Sequence, residues 1–367
     1  MEARSLFGQR TSRANSYGVG STFAQEKNRL PIHCMEEMIA RFPEQLEEAL
    51  HLAQQHTERY TAHSYPIRQV FISGLGGSGI GGNFVQEFAG GACRVPIFVN
   101  KGYEVPGWVG RHVLAVCSSY SGNTEETLQV FDQLMATGAK VVCVTSGGQL
   151  GERAKARGLD VFSMPPGWSS PRACLGYSVV LQLAVLGAAR LLRRRRSLFA
   201  QIAAAHRLLR REQDDLRKRA QKLAGFLFDK LPVIYCADHS EAVALRWRQQ
   251  INENAKMLCW HHVLPEMNHN ELVGWREQQP RLAALWLRHR DDYPRTAARI
   301  DIVKEIVGHF AGASIEVYSK GRTSIERKLY LVHLGDWLSF YLAQQRQVDP
   351  VEIRVIDFLK AELAKIN

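Results

Sequence analysis

Short apolar runs alternate with helical patterns along almost the whole chain, and this alternation constrains the fold more than any other feature of the sequence. IRQVFIS (67–73), VPIFVN (95–100), HVLAVCS (112–118), AKVVCVTS (139–146) and DVFSM (160–164) read as strands. Helical patterns separate them, and the long apolar helix CLGYSVVLQLAVLGAARLL closes the set. After a basic helical stretch the cycle restarts. LPVIYCA (231–237), LAALWLRH (282–289) and SIEVYSK (314–320) read as strands, EAVALRWRQQINENAKML and TAARIDIVKEIVGHF as helices, and IERKLYLVHLGDWLSFYLAQQ as a second long helix. Strands written as unbroken apolar runs are buried on both faces, as in parallel sheets covered by helices. The expectation is therefore an α/β chain: two doubly wound parallel-sheet αβα domains plus a C-terminal helix over 350–366. At 367 residues the chain exceeds one core of roughly 150 residues. The pattern divides it into a disordered leader (1–25), a first domain (26–195), a second domain (196–345) and a C-terminal segment (346–367). A helix over 32–62 precedes the first strand.

Composition narrows the class. With 46% hydrophobic and 23% charged residues the chain reads as an ordinary globular protein, and no apolar run reaches the ~20 residues that span a bilayer. The seven cysteines show no C-x-x-C spacing and an odd count, which suits a reducing cytoplasm better than a disulfide framework. The formal charge of +11 calls for an anionic partner or a solvated basic face. Much of it lies in 190–222, including Arg193–Arg196, where Leu198, Ile202, Leu209, Leu216 and Leu223 recur at helical spacing. That segment reads as a helix with a solvated basic face. No zinc-finger spacing or RNA-binding motif supports a nucleic-acid partner.

FISGLGGSGIGGNF (71–84) sets six glycines in nine positions after a strand, a common way to hold a phosphate against bare backbone. A dinucleotide fingerprint fits, but the next strand ends in Asn100 and Lys101 rather than in the acid that would take a ribose hydroxyl. A nucleotide P-loop needs a lysine that the loop lacks. A second loop, SYSGNTEET (119–127), follows another strand and opens a helix with Ser119, Ser121 and Thr124. In a doubly wound sheet ligands sit beyond the carboxyl ends of strands. Gly77 and Ser78 on one loop and these hydroxyls on the other are placed to share one phosphate, with Thr124 serving equally as a helix cap.

GLGGSGIGG and SYSGNTEET resemble the phosphosugar loops of the sugar isomerase (SIS) fold. Together with SPRACLGYS (170–178), NENAK (252–256) and PEMNHNELVGW (265–275) they resemble the bifunctional phosphoglucose/phosphomannose isomerases over 28–360. The resemblance implies two SIS domains and a metal-independent aldose–ketose isomerase without cofactor. It implies conversion of glucose 6-phosphate to fructose 6-phosphate, with action on mannose 6-phosphate left open by a departure at Ile353. It implies Glu253 as the base, His269 as the ring-opening group given across a homodimer, Arg172 as the cation for the enediolate, and Lys360 at the ring end of the sugar. Where the family often has Thr, seven residues before Lys360, this chain has Ile353, which bears on the choice between glucose and mannose. His261, His262 and His269 lie close in sequence without a metal-binding spacing. A non-catalytic phosphosugar-binding regulator of the same fold is the alternative. It would keep the two loops but have no need of Glu253 or His269.

Overall fold

The computed structural model describes residues 34–366, all within one compact unit; the expected leader lies outside the described residues. The chain opens with α1 (Met35–Ala40) and α2 (Phe42–Arg59), so the single helix expected over 32–62 is divided at Arg41. Pro43 sits in the first turn of α2, where a missing N–H costs nothing.

Five strands follow, β1 (Gln69–Ser73), β2 (Ile97–Asn100), β3 (Val113–Ser119), β4 (Lys140–Thr145) and β5 (Asp160–Ser163). They form an all-parallel sheet in the order β2-β1-β3-β4-β5. Helices α3 (Gly76–Ala89), α4 (Glu125–Leu134) and α5 (Gly148–Ala156) connect them, and α6 (Leu175–Ala188) follows β5. The glycine-rich stretch expected as a turn ahead of a helix is itself the first two turns of α3. Glycine is a poor helix former, but here close packing excludes side chains. A Cβ on Gly79 would lie 2.5 Å from the Gly74 carbonyl oxygen, and one on Gly81 2.3 Å from Ser178 Oγ.

Helix α7 (Arg195–Leu227) links the sheets. It buries Leu198, Ile202, Leu209 and Leu216, while Arg193–Arg196 are exposed. Full burial of each such leucine contributes roughly 1.5–3 kcal/mol. The second half contains β6 (Leu231–Ala237), α8 (Glu241–Ala255), β7 (Trp260–Leu264), β8 (Gln279–Arg288), α9 (Pro294–Phe310), β9 (Ala311–Tyr318), α10 (Ser324–Gln345) and α11 (Arg354–Leu363). Its sheet is again all parallel, ordered β7-β6-β8-β9. Strand β7 and the stop of α8 at Ala255 are corrections to the sequence expectation, which ran the helix through Leu258 and placed no strand between LPVIYCA and LAALWLRH.

Side chains of both sheets, α6, α7, α8 and α10 share one large apolar core. By length and composition the segment Pro171–Ala188 is apolar enough to cross a membrane, yet 89% of it is buried inside the protein, as expected of a core helix. All seven cysteines are free thiols, five of them buried. The carboxyl ends of β1 and β3, where the order of the first sheet reverses, carry the two candidate phosphate loops.

Candidate active site

The two loops meet through Ser78. Its Oγ accepts a hydrogen bond from the Tyr120 backbone N–H at 3.2 Å, fixing the start of α3 against the loop after β3. In that loop Ser119 Oγ accepts from the Gly122 N–H at 3.1 Å and pairs with Thr124 Oγ1 at 2.9 Å. Thr124 occupies the N-cap position of α4, but its side chain makes no capping hydrogen bond; it is held by Ser119 instead. Ser121 is exposed and its Oγ accepts from the Asn123 N–H at 3.2 Å. Gly122 and Gly148 have positive φ, 68° and 64°, and a Cβ on Gly148 would strike the Ser121 carbonyl at 2.3 Å. The result is a rigid nest of N–H groups and hydroxyls beside the starts of two helices, which favours an anion.

Sequence reasoning missed the side chain that supports this nest from below. Gln182 is fully buried in α6, and its Nε2 lies 2.8 Å from Ser178 Oγ, 3.1 Å from Ser118 Oγ and 3.3 Å from the Ser78 carbonyl. One amide thus ties the apolar helix to both loops. A lone Gln inside VVLQLAVLG was the available signal, since a buried polar group needs partners.

Arg172 stands directly beside the first loop. It lies in the short turn Pro171–Cys174 that leads into α6, and Gln45 of α2 holds that turn by donating to the Ala173 carbonyl at 2.7 Å. A Cβ on Gly77 would meet the Pro171 carbonyl at 3.0 Å and Arg172 Cα at 3.2 Å, so glycine lets the turn approach the loop. The Arg172 side chain is buried and reaches across to the second half of the chain. Its Nη1 donates to Glu253 Oε1 at 2.7 Å, its Nε to Asn254 Oδ1 at 2.7 Å, and its Nη2 to the Pro350 carbonyl. Asn254 is oriented in turn, donating to Ser339 Oγ at 2.9 Å, and Ser339 donates to the Asp336 carbonyl. Behind it Arg246 and Asp336 form a buried bidentate pair, both contacts at 3.0 Å. Burial pulls the Arg172 pKa down from its usual value, with the Glu253 carboxylate opposing. Guanidinium starts so high that it stays charged.

Glu253 sits in the last turn of α8, its side chain 30% exposed. The structure thus brings Gly77, Ser78, Ser119, Thr124, Arg172 and Glu253 into one connected neighbourhood drawn from both sheets. A carboxylate and a fixed cation are thereby joined to the turn that packs against the first loop, an arrangement that can supply a proton acceptor and a stabiliser of negative charge.

His269 and Lys360 stand apart from this group. His269 is exposed at the end of the turn Glu266–His269, which follows β7, and its side chain makes no hydrogen bond or ion pair among the described residues. The loop that presents it is nonetheless well braced. Asn270 Nδ2 donates to Glu266 Oε1 at 2.9 Å, and Glu271 accepts from Tyr235 and pairs with His262 Nδ1 at 2.8 Å. Lys360 is exposed on α11, a helix with no buried residue, and Ile353 is the half-buried N-cap of that helix. No three His, Cys, Asp or Glu side chains converge as a metal-binding group among the described residues.

Residues 216–363 match the family model described as the bacterial phospho-glucose isomerase C-terminal SIS domain. The chain is 36% identical over 348 residues to a bifunctional phosphoglucose/phosphomannose isomerase of Caldicellulosiruptor bescii, covering 91% of this chain and 100% of that one. It is 36% identical over 303 residues to the enzyme of the same name from Aquifex aeolicus, covering 82% and 92%. Among solved structures it resembles the C-terminal domain of glucosamine-fructose-6-phosphate aminotransferase from Francisella tularensis, with a TM-score of 0.70, 14% identity and coverage of 86% and 97%. That likeness concerns the fold alone.

Proposed function

Because the chain belongs to the bifunctional phosphoglucose/phosphomannose isomerase family, we propose that it interconverts glucose 6-phosphate and mannose 6-phosphate with fructose 6-phosphate. The sugar ring opens, and a proton moves between carbons 1 and 2 through a cis-enediol intermediate. The observation that carries this reading is the Arg172–Glu253 pair, 2.7 Å apart, whose Arg172 backbone packs against Gly77 of the loop that contains Ser78.

In this reading the phosphate lies against Gly77, Ser78, Ser119, Ser121 and Thr124. Each hydrogen bond to a charged group contributes roughly 1.5–3 kcal/mol. Glu253 removes the proton from one carbon and returns it to the other. Arg172 faces the oxygen on which negative charge develops; a cation already fixed by Asn254 and the Pro350 carbonyl needs no reorganisation when that charge appears. His269 opens the ring and Lys360 holds its far end. In one copy of the chain His269 makes no hydrogen bond to the Arg172–Glu253 group among the described residues, yet its loop is held by hydrogen bonds of its own. This supports a homodimer in which each copy lends His269 to the other's site. Ile353, at the start of the helix that carries Lys360, sets the relative preference for the glucose and mannose configurations. The presence of two separate parallel sheets supports a division into two SIS domains, 26–195 and 196–345, with 346–367 assigned to completing the site. The chain works in the cytoplasm without metal or other cofactor. A phosphosugar-binding regulator would have no use for the Arg172–Glu253 pair.

The test is a coupled assay offering fructose 6-phosphate with chelator present, reading glucose 6-phosphate and mannose 6-phosphate separately. Formation of both is expected. Binding of fructose 6-phosphate without formation of either product would overturn the reading.

A further inference from the structure

Helix α8 ends in an unusual way. Its C-cap residue, Lys256, takes the left-handed conformation, φ 54° and ψ 37°. Where a helix ends in that conformation the residue is usually glycine, sometimes asparagine, because a Cβ crowds the following carbonyl. Backbone geometry alone would therefore favour glycine here, and the reason for lysine must lie in its side chain.

That side chain is fully engaged. Lys256 Nζ donates to the Glu253 carbonyl and to the Glu352 carbonyl, both at 2.7 Å. The first ties the ammonium to the helical turn that carries the Glu253 carboxylate. The second reaches the segment 349–353 between α10 and α11. Arg172 Nη2 donates to the Pro350 carbonyl and lies 3.4 Å from that of Val351. Two cations thus hold three successive carbonyls of one strap. Arg346 adds a tie at the strap's upstream end by donating to the Ala255 carbonyl at 3.0 Å. Burial and the neighbouring Arg172 both work against the charge on Lys256, with Glu352, Asp349 and Glu253 offsetting them. A costly backbone angle and an unfavourable setting for a cation coincide at one residue, as at sites where function holds strain in place.

Downstream of the strap, α11 lies at the surface. None of its residues is buried, and Val355 is 80% and Phe358 59% exposed. Where that helix stands relative to Glu253 depends on the strap that leads into it.

We infer that Lys256 is a positioning residue whose ammonium latches the 349–353 strap to the turn bearing Glu253, so that α11 brings Lys360 to the same sugar on which Glu253 acts. The proposal rests on the isomerase reading for its consequence in catalysis, but the latch itself is testable without turnover.

The experiment uses the full chain and two variants, Lys256→Gly and Lys256→Met. Glycine removes the latch and relieves the left-handed backbone; methionine removes the latch and keeps the strain. Three quantities are measured: the thermal midpoint, amide hydrogen exchange over 349–363 without substrate, and kcat/KM with fructose 6-phosphate. Inhibition by inorganic phosphate serves as a probe of the N-terminal loops. Loss of a charge-assisted hydrogen bond predicts exchange faster by roughly ten- to a hundredfold over 349–363 in both variants. The glycine variant keeps or exceeds the wild-type midpoint, kcat/KM falls about tenfold or more, and phosphate inhibition is unchanged. A glycine variant with wild-type exchange over 349–363 overturns the latch. Faster exchange with wild-type kcat/KM overturns the positioning role. If the wild-type chain turns over no hexose phosphate, the isomerase reading fails by itself, and the exchange comparison still decides the latch.

Discussion

Replacing Arg172 by methionine tests the site where its two halves join. Methionine keeps most of the side chain's length and removes the charge and all its donors. The substitution strips hydrogen bonds from Glu253, Asn254 and the Pro350 carbonyl. Glu253 is 30% exposed and turns to water, but Asn254 is fully buried and keeps an orphaned Oδ1. A buried acceptor without a partner costs about 1–3 kcal/mol. Against this, the buried guanidinium no longer has to be desolvated. The expected loss of stability is therefore small, about 1–2 kcal/mol, and a denaturant titration reads it. The catalytic loss should be much larger. Removing one preorganised electrostatic donor typically lowers kcat by about 10²–10³. Because Arg172 packs against Gly77 through its backbone rather than its side chain, KM for fructose 6-phosphate should move little. A variant with kcat within about threefold of wild type would refute the assignment of Arg172 to the developing charge. A KM rise with kcat unchanged would make it a binding residue instead.

Further outcomes follow from the same geometry. Gly77→Ala places a Cβ against the Pro171 carbonyl and Arg172 Cα, so it should destabilise by about 1–3 kcal/mol and lower kcat/KM; Gly76→Ala, where nothing lies within 4 Å, should show only the strain of its positive φ in the same melts. Ser119→Ala removes one of the two acceptors of the Gly122 N–H and the partner of Thr124 and should raise KM for the sugar phosphate about tenfold, with kcat less affected in steady-state kinetics. His333 is fully buried, which pushes its pKa down to about 3. Its neutral form is favoured in the fold, so the stability it contributes is present above pH 6.5 and is lost as pH falls from there toward 3. By pH 4.5 the loss amounts to about 2–3 kcal/mol, and His333→Gln should flatten that part of the stability–pH curve.

Most of the architecture could be read from the sequence because parallel strands buried on both faces are written as apolar runs. β1, β3, β4, β6 and β8 all were. β7 was not, because WHHVL lies at a sheet edge, is mostly half-buried and carries two histidines in the middle of the strand. The start of α3 was hidden for the opposite reason: glycines that suggest a turn are there because neighbouring backbone and Ser178 leave no room for a Cβ. The glycine-rich and the hydroxyl-rich loops showed in their residue types alone. The Arg172–Glu253 contact did not, since 81 residues separate the partners and only resemblance to a family linked them. Gln182 showed only as a lone polar residue in an apolar helix, while Asn254 and Lys256 were invisible as supports, because each acts through contacts made by the fold and not through local spacing.

The most direct check on the whole account is hydrogen exchange between solvent and sugar. Wild-type enzyme incubated with fructose 6-phosphate in deuterium oxide should place deuterium on carbon 2 of the aldose products. In Glu253→Gln both label and product formation should fall by about 10²–10⁴, while equilibrium binding of the sugar phosphate persists. Wild-type rates of labelling in Glu253→Gln would contradict the claim that this carboxylate carries the proton.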